Sequence, residues 1–286
     1  MKKFVLMTCI VCTILTLPAL SQGAEYMAGV RTGYFAWQPY LKEIDASGMS
    51  DIKWGTGVLY GPIFSIMFTD DLSISVSALF GKQSTHWQSE FSYFDSSTRI
   101  TGNYYFEGFR ADVDSALSYR LSQYFKVFAG YKYQYMAMDY NYTELRTDSS
   151  NNITDVQVGA IKISTNLFHG PALGLGFNYP ITDVYFFSIN VSGLYMTGDI
   201  EFKVKGYESD PLKSIPDEKI ESPIRQIGIN VEPVIGMNPG NNLPIITVGI
   251  RYQKSRLQIT SSELGLENKW LDDTIAGAFI SIVFMF

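Results

Sequence analysis

The sequence predicts an all-β fold: one transmembrane antiparallel up-and-down β-barrel of about ten strands. Three observations carry that expectation. Apolar residues recur at every second position in ten separate stretches, the signature of strands with one oily face. The connections between stretches alternate between short turns and long polar segments. Charges inside the stretches fall mostly on the parity opposite to the apolar rows, as a wall with lipid on its outer side requires.

The amino terminus points to export. Lys2 and Lys3 precede an apolar run from Phe4 to Leu17, Pro18 breaks it, and the small residues Ala19, Ser21, Gly23 and Ala24 follow. This is the pattern of a secretory signal peptide. We assign residues 1–24 to it, with cleavage between 21 and 25, and residues 25–286 to one barrel domain. The run falls short of the roughly 20 apolar residues that a spanning helix needs. Both cysteines, Cys9 and Cys12, lie in this leader, so the exported chain has no disulfide framework. The chain has a net charge of −6, and loss of the two leader lysines makes it more acidic still, which argues against a nucleic-acid partner.

The outward rows follow in order. The first stretch, about Tyr26 to Tyr40, presents Ala28, Val30, Tyr34 and Ala36. The second, Trp54 to Phe68, presents Val58, Tyr60, Phe64, Ile66 and Phe68. The third sets Leu72, Ile74, Val76, Ala78 and Phe80 against Ser73, Ser75 and Ser77. The fourth, Gly102 to Tyr119, turns out Phe109, Ala111, Val113, Leu117 and Tyr119, and the fifth turns out Phe125 through Tyr135 at odd positions. In the sixth, Asn166 to Tyr179, Leu173, Leu175 and Phe177 face out and Gly170, Ala172, Gly174 and Gly176 face in. His169 then shares the outward parity, which signals a local register error. Tyr185 to Tyr195, Ile227 to Val231 and Ile246 to Tyr252 complete stretches seven to nine.

Short turns at Asp70-Asp71, 120–124, 180–183 and 237–243 define one side of the barrel, and long segments near 41–53, 86–101, 143–165, 201–222 and 259–271 define the other. In membrane barrels the short side is periplasmic and the long loops are extracellular. An even number of strands places both termini on the short side. Trp37, Trp54, Trp87 and Trp270 all lie at strand ends beside long segments, where an interfacial aromatic girdle is expected.

The last stretch, Thr274 to Phe286, has apolar residues at Ala278, Ile280, Ile282 and Phe284 and ends on the aromatic Phe286. It resembles the C-terminal strand of bacterial outer-membrane β-barrels. That resemblance implies an outer-membrane location, a Gram-negative source, and recognition of Ile280, Ile282, Phe284 and Phe286 by the barrel-assembly machinery. It also implies outer-membrane lipid and lipopolysaccharide as surroundings. Ten strands make the chain similar in size to the omptin proteases, but neither histidine is adjacent to an aspartate, so the omptin motif is absent.

The inward rows hold the candidate functional residues: Arg31, Arg110, Lys126, Lys132 and Arg251 against Asp112, Asp114 and Glu232. Two readings follow. Opposite charges pair across a filled lumen, or small inward residues leave a narrow pore that passes small solutes. Eight strands fill with side chains and sixteen leave a channel, and ten lie between. We expect a porin-like or structural and surface role rather than an enzyme. The alternative is an outer-membrane hydrolase of lipid acyl chains or peptides, for which Ser84 and His86 share one strand face. The acidic residues of segment 201–222, such as Glu208 and Asp210, alternate with lysines and read as a solvated surface. No metal site and no cofactor are expected.

Overall fold

The computed structural model describes residues 24–40, 53–92, 99–148, 150–207, 218–240, 243–260 and 269–286. The leader, with its proposed cleavage site, lies outside these residues. Ten strands alternate with turns: β1 (Glu25–Gln38), β2 (Gly55–Met67), β3 (Leu72–Ser92), β4 (Arg99–Arg120), β5 (Phe125–Thr147), β6 (Ile153–Pro180), β7 (Tyr185–Tyr207), β8 (Glu218–Met237), β9 (Ile245–Ile259) and β10 (Trp270–Met285). Each pairs antiparallel with its neighbours in sequence, and β10 pairs with β1 to close the ring. Closure runs from Met27 opposite Met285 to Gln38 opposite Thr274. Beyond it, Tyr26 and Phe286 exchange two backbone hydrogen bonds of 3.2 and 2.8 Å. A closed sheet leaves no unpaired edge, the condition for strands to sit in lipid.

Side-chain parity follows the sequence reading. Val30, Tyr34, Val58, Tyr60, Leu173, Leu175, Ile280 and Ile282 are exposed on the outer wall. A soluble monomer does not carry an apolar belt of this extent. The interleaved positions point inward, where Phe35, Leu59, Phe106, Met136, Leu194 and Phe279 are buried.

Three of the short turns are one device used three times. In Phe68–Leu72, Leu121–Phe125 and Ile181–Tyr185 the first residue donates its backbone N–H to the carbonyl of the fifth, at 2.8–2.9 Å. The second residue is Thr69, Ser122 or Thr182, and its hydroxyl accepts the N–H of the fifth at 3.0–3.2 Å. A hydroxyl at that place satisfies turn N–H groups that the ladder leaves free.

The opposite end departs from expectation. Much of segments 86–101, 143–165 and 201–222 is strand: β5 reaches Thr147, β6 begins at Ile153, and β7 runs to Tyr207. A spanning strand needs about 9–11 residues, yet β5 has 23 and β6 has 28, against 14 in β1 and 13 in β2. The wall from β3 to β8 therefore rises as a sheet well past the apolar belt. Ser150 to Asn152 are part of a tight turn. The Asp148 carboxylate accepts the N–H groups of Ser150 and Asn152 at 2.8 and 2.9 Å, and Asn151 takes a left-handed φ of 60°.

The register error signalled by His169 is real. Between Ser164 and Phe168, β6 carries three residues where β5 carries two, and its register with β7 shifts at the same place. This is a β-bulge, and the extra residue exchanges the two faces of the strand. Above it Ile163 and Thr165 point inward, and below it Phe168 and Gly170 do. The Thr165 hydroxyl accepts the Met136 N–H at 2.8 Å, replacing a ladder bond that the bulge removes.

Candidate functional site

The lumen is built in three layers, read along β4 and β5 from the short-turn end. The first is a polar cavity of about 230 Å³, lined among others by Ser75, Ser77, Ser118, Lys126, Asn190, Ser192, Asn230 and Glu232. It owes its space to small inward residues on β3, β4 and β7. Lys126 reaches into it with its methylenes against Gly176, and no ion pair is formed by its ammonium group among the described residues. Arg31 and Glu232 pair here at 3.0 Å, and the Arg31 Nε donates to Ser281 Oγ at 3.1 Å while its guanidinium lies 4.1 Å over Phe279.

The second layer is a charge belt. Lys132 donates to Asp114 at 2.7 Å, and Arg251 donates to Asp114 at 3.1 Å. Both also face Asp112, at 3.7 and 3.8 Å. Arg110 contacts Asp112 at 3.3 Å and Asp273 at 3.2 Å. The three cations and three carboxylates thus balance. All but Asp114 are almost fully withdrawn from solvent. Charges so placed are tolerable only because every one has an opposite partner at contact.

The third layer is mainly apolar, with the buried polar side chains Gln83, Glu144 and Gln226 set among it. Trp37, Tyr104, Phe106, Met136, Met138, Ile200, Leu257 and Leu271 are fully buried inside the upper barrel. Trp37 links this layer to the one below. Its indole N–H donates to Asp273 at 2.7 Å, Arg110 lies 5.5 Å over its ring, and Phe106 packs edge-on at 5.8 Å. Gly108 makes room for that ring, since a Cβ there would lie 2.4 Å from the Trp37 Cζ3.

All eight inward charges expected from the sequence face the lumen. The structure brings Arg110, Asp112, Asp114, Lys132 and Arg251 into one cluster, pairs Arg31 with Glu232 at the cavity, and leaves Lys126 in that cavity without an ion pair among the described residues. Asp273 was missed. It sits on the inward parity of β10, which could have identified it, and it balances the three cations of the belt. Trp37 corrects the girdle expectation: it has the inward parity of Phe35 and is buried, whereas Trp54 and Trp270 are exposed on the wall. The side chain of Trp87 lies outside the described residues.

The hydrolase candidates fare differently. Ser84 and His86 share the outward face of β3 and are exposed, and among the described residues no hydrogen bond joins them to each other or to a carboxylate. His169 stacks on Tyr131 on the outer wall, with ring centroids 5.6 Å apart and its Nδ1 bonded to the phenol. Outward charges near the rim pair with each other, Lys82 with Glu107 at 2.6 Å and Lys162 with Asp139 at 3.5 Å. Among the described residues no group of three potential ligands is placed to hold a metal ion. In segment 201–222, residues 208–217 lie outside the described set.

No family model matches the chain, and no curated protein matches it in sequence. Solved structures do resemble it. The outer membrane protease OmpT of Escherichia coli aligns over 92% of this chain and 96% of its own, with 13% identity and a TM-score of 0.48. The toluene transporter TodX of Pseudomonas putida aligns over 94% and 91%, with 9% identity and a TM-score of 0.36. Ail, the attachment invasion locus protein of Yersinia pestis, aligns over 91% and 98%, with 9% identity and a TM-score of 0.30. The closed ring, the apolar belt and the terminal strand that seals β1 are the architecture of a transmembrane β-barrel.

Proposed function

We propose that this protein is a non-conducting outer-membrane barrel with a structural or surface role, neither a porin nor an enzyme. One observation carries the reading: buried aromatic and aliphatic side chains fill the upper lumen, above a charge-balanced belt. Passage of a solute would require unpacking Trp37, Tyr104, Phe106 and Met138 together, against the close packing that interiors resist losing. The tall sheet from β3 to β8 then offers the working surface, as loops and rims do on rigid scaffolds. Export through a cleaved leader belongs to the same proposal.

The test is reconstitution in planar bilayers. No discrete conductance steps are expected from the folded protein. Steps that persist when Trp37 and Phe106 are unchanged would return the porin-like reading to first place. The hydrolase reading calls for acyl-ester or peptide hydrolysis that disappears in His86→Ala, and none is expected.

A further inference from the structure

We propose that the polar cavity at the short-turn end of the lumen binds a small carboxylate with a hydrogen-bond donor on the adjacent carbon, an α-hydroxy or α-amino acid. The site lies at the opposite end of the barrel from the tall rim and does not depend on the role proposed for that rim. Four inward positions form one cross-strand row. Lys126 on β5 stands opposite Gly176 on β6, Gly176 opposite Asn190 on β7, and Asn190 opposite Glu232 on β8. Gly176 keeps the row open. A Cβ there would lie 2.4 Å from the Lys126 Cε and 2.7 Å from the Asn190 Oδ1, so both side chains reach the space above that glycine. Asn230 belongs to the same face, two residues before Glu232 and opposite Ser192.

The two carboxylates of the cavity are already engaged. Glu232 holds Arg31 at 3.0 Å, and Asp114 takes Lys132 at 2.7 Å and Arg251 at 3.1 Å. The Lys126 ammonium has three N–H donors and no carboxylate at contact among the described residues. Its neighbours Asn190 and Asn230 present the reverse case, since the Oδ1 of each is buried and accepts no hydrogen bond. An unmatched cation beside two unmatched acceptors defines the complement: an anionic group next to a donor. A carboxylate takes the ammonium in a charge-assisted bond, and a hydroxyl or ammonium on the next carbon serves the amide oxygens. Water fits the 230 Å³, roughly seven molecules of it, but brings no counter-charge. A plain carboxylate brings the charge and leaves the amide oxygens unmet. An approach exists from the short-turn end. A hollow of about 130 Å³ beside the turn residues Asp70, Asp71 and Arg120 shares Lys126 and Ser118 with the cavity. The exposed acids there oppose a simple anion more than a ligand that also carries a donor or a positive group.

The experiment is a titration of the isotopically labelled full barrel in detergent micelles, read from the backbone amide resonances of Gly176 and Asn190. The probes are propanoate, lactate and alanine, which share one carbon skeleton and carry hydrogen, hydroxyl or ammonium on the second carbon. Saturable shifts are expected, with lactate or alanine bound about fivefold more tightly than propanoate, the effect of a hydrogen bond. Lys126→Gln should weaken all three about tenfold and leave their ratio alone, since it removes the partner of the shared carboxylate. Asn230→Ala should remove most of the preference and leave propanoate unchanged. Gly176→Ala closes the space without removing a polar group and should weaken all three at Asn190, which keeps the test available if Lys126→Gln does not fold. Lactate ahead of alanine assigns the site to a hydroxy acid, and the reverse order to an amino acid. Equal affinity for the three probes, or affinity untouched by Lys126→Gln, overturns the proposal. No saturable shift with any of them overturns it as well and leaves a cavity that holds water alone.

Discussion

Replacing Asp273 by Asn tests whether the charge belt is the unit that the structure describes. The amide keeps the shape of the side chain and an oxygen for the Trp37 indole N–H, which now sits at 2.7 Å. What it removes is one negative charge, 3.2 Å from Arg110 in a site with almost no exposure. The belt then holds Arg110, Lys132 and Arg251 against Asp112 and Asp114 only. Removing one partner of a buried pair costs about 3–5 kcal/mol. Because Arg110 keeps Asp112 at 3.3 Å, the lower end applies, about 3 kcal/mol or roughly a hundredfold in the folding equilibrium. Arg110→Met alone should cost a similar amount, by leaving Asp273 without a cation. The double variant restores neutrality, with Lys132 and Arg251 facing Asp112 and Asp114. It should therefore fall short of the sum by about 2 kcal/mol, within the range of coupled neighbours. Urea unfolding from lipid vesicles, followed by tryptophan fluorescence, measures all three. Additivity within about 0.5 kcal/mol would show that the two residues do not depend on each other, and the reasoning would be wrong.

Three further outcomes are expected. Leu173→Arg places a charge on the lipid face and should destabilise the barrel by about 2–4 kcal/mol in the same assay, whereas Ser84→Arg near the rim should cost about 1 kcal/mol or less. Deleting Asn166 removes the extra residue of β6 and forces the two halves of the strand onto one parity. The heat-modifiable band of the folded barrel should disappear from gels, because either Leu173 and Leu175 or Ile163 and Thr165 must then exchange faces. Removing Phe286 takes away two backbone bonds to Tyr26 but no lumen contact. Unassisted refolding into vesicles should survive it, while the amount assembled in the outer membrane of cells should fall. Equal loss in both settings would reassign the residue from signal to structure.

The barrel was legible because its rule is binary. A period of two, a charge penalty on one face and an even strand count leave few alternatives, and Arg31, Arg110 and Arg251 fell on the inward side from parity alone. The same rule pointed to the β6 bulge through His169, which took the outward parity near the middle of its strand. Strand length was not legible, because the sheet beyond the belt no longer has lipid on one side. In 143–165 the polar composition that suggested a loop belongs to strands with water outside, as at Thr154, exposed on β6. Trp37 was misread because its position at a strand end outweighed its parity. Its indole satisfies the Asp273 carboxylate, a contact between residues 236 positions apart that no local pattern reveals.

The packing of the lumen bears on where function resides. A conducting barrel needs charges that face water along a continuous path, since a charge already neutralised by a neighbour offers nothing to a passing ion. Here the belt cations are held by carboxylates at 2.7–3.3 Å, and the space above them is occupied by rings. Lys126, an inward cation without an ion pair among the described residues, stands in the cavity on the short-turn side. The proposed surface role therefore falls to the tall rim of β3 to β8, with the packed lumen as the core that keeps it rigid.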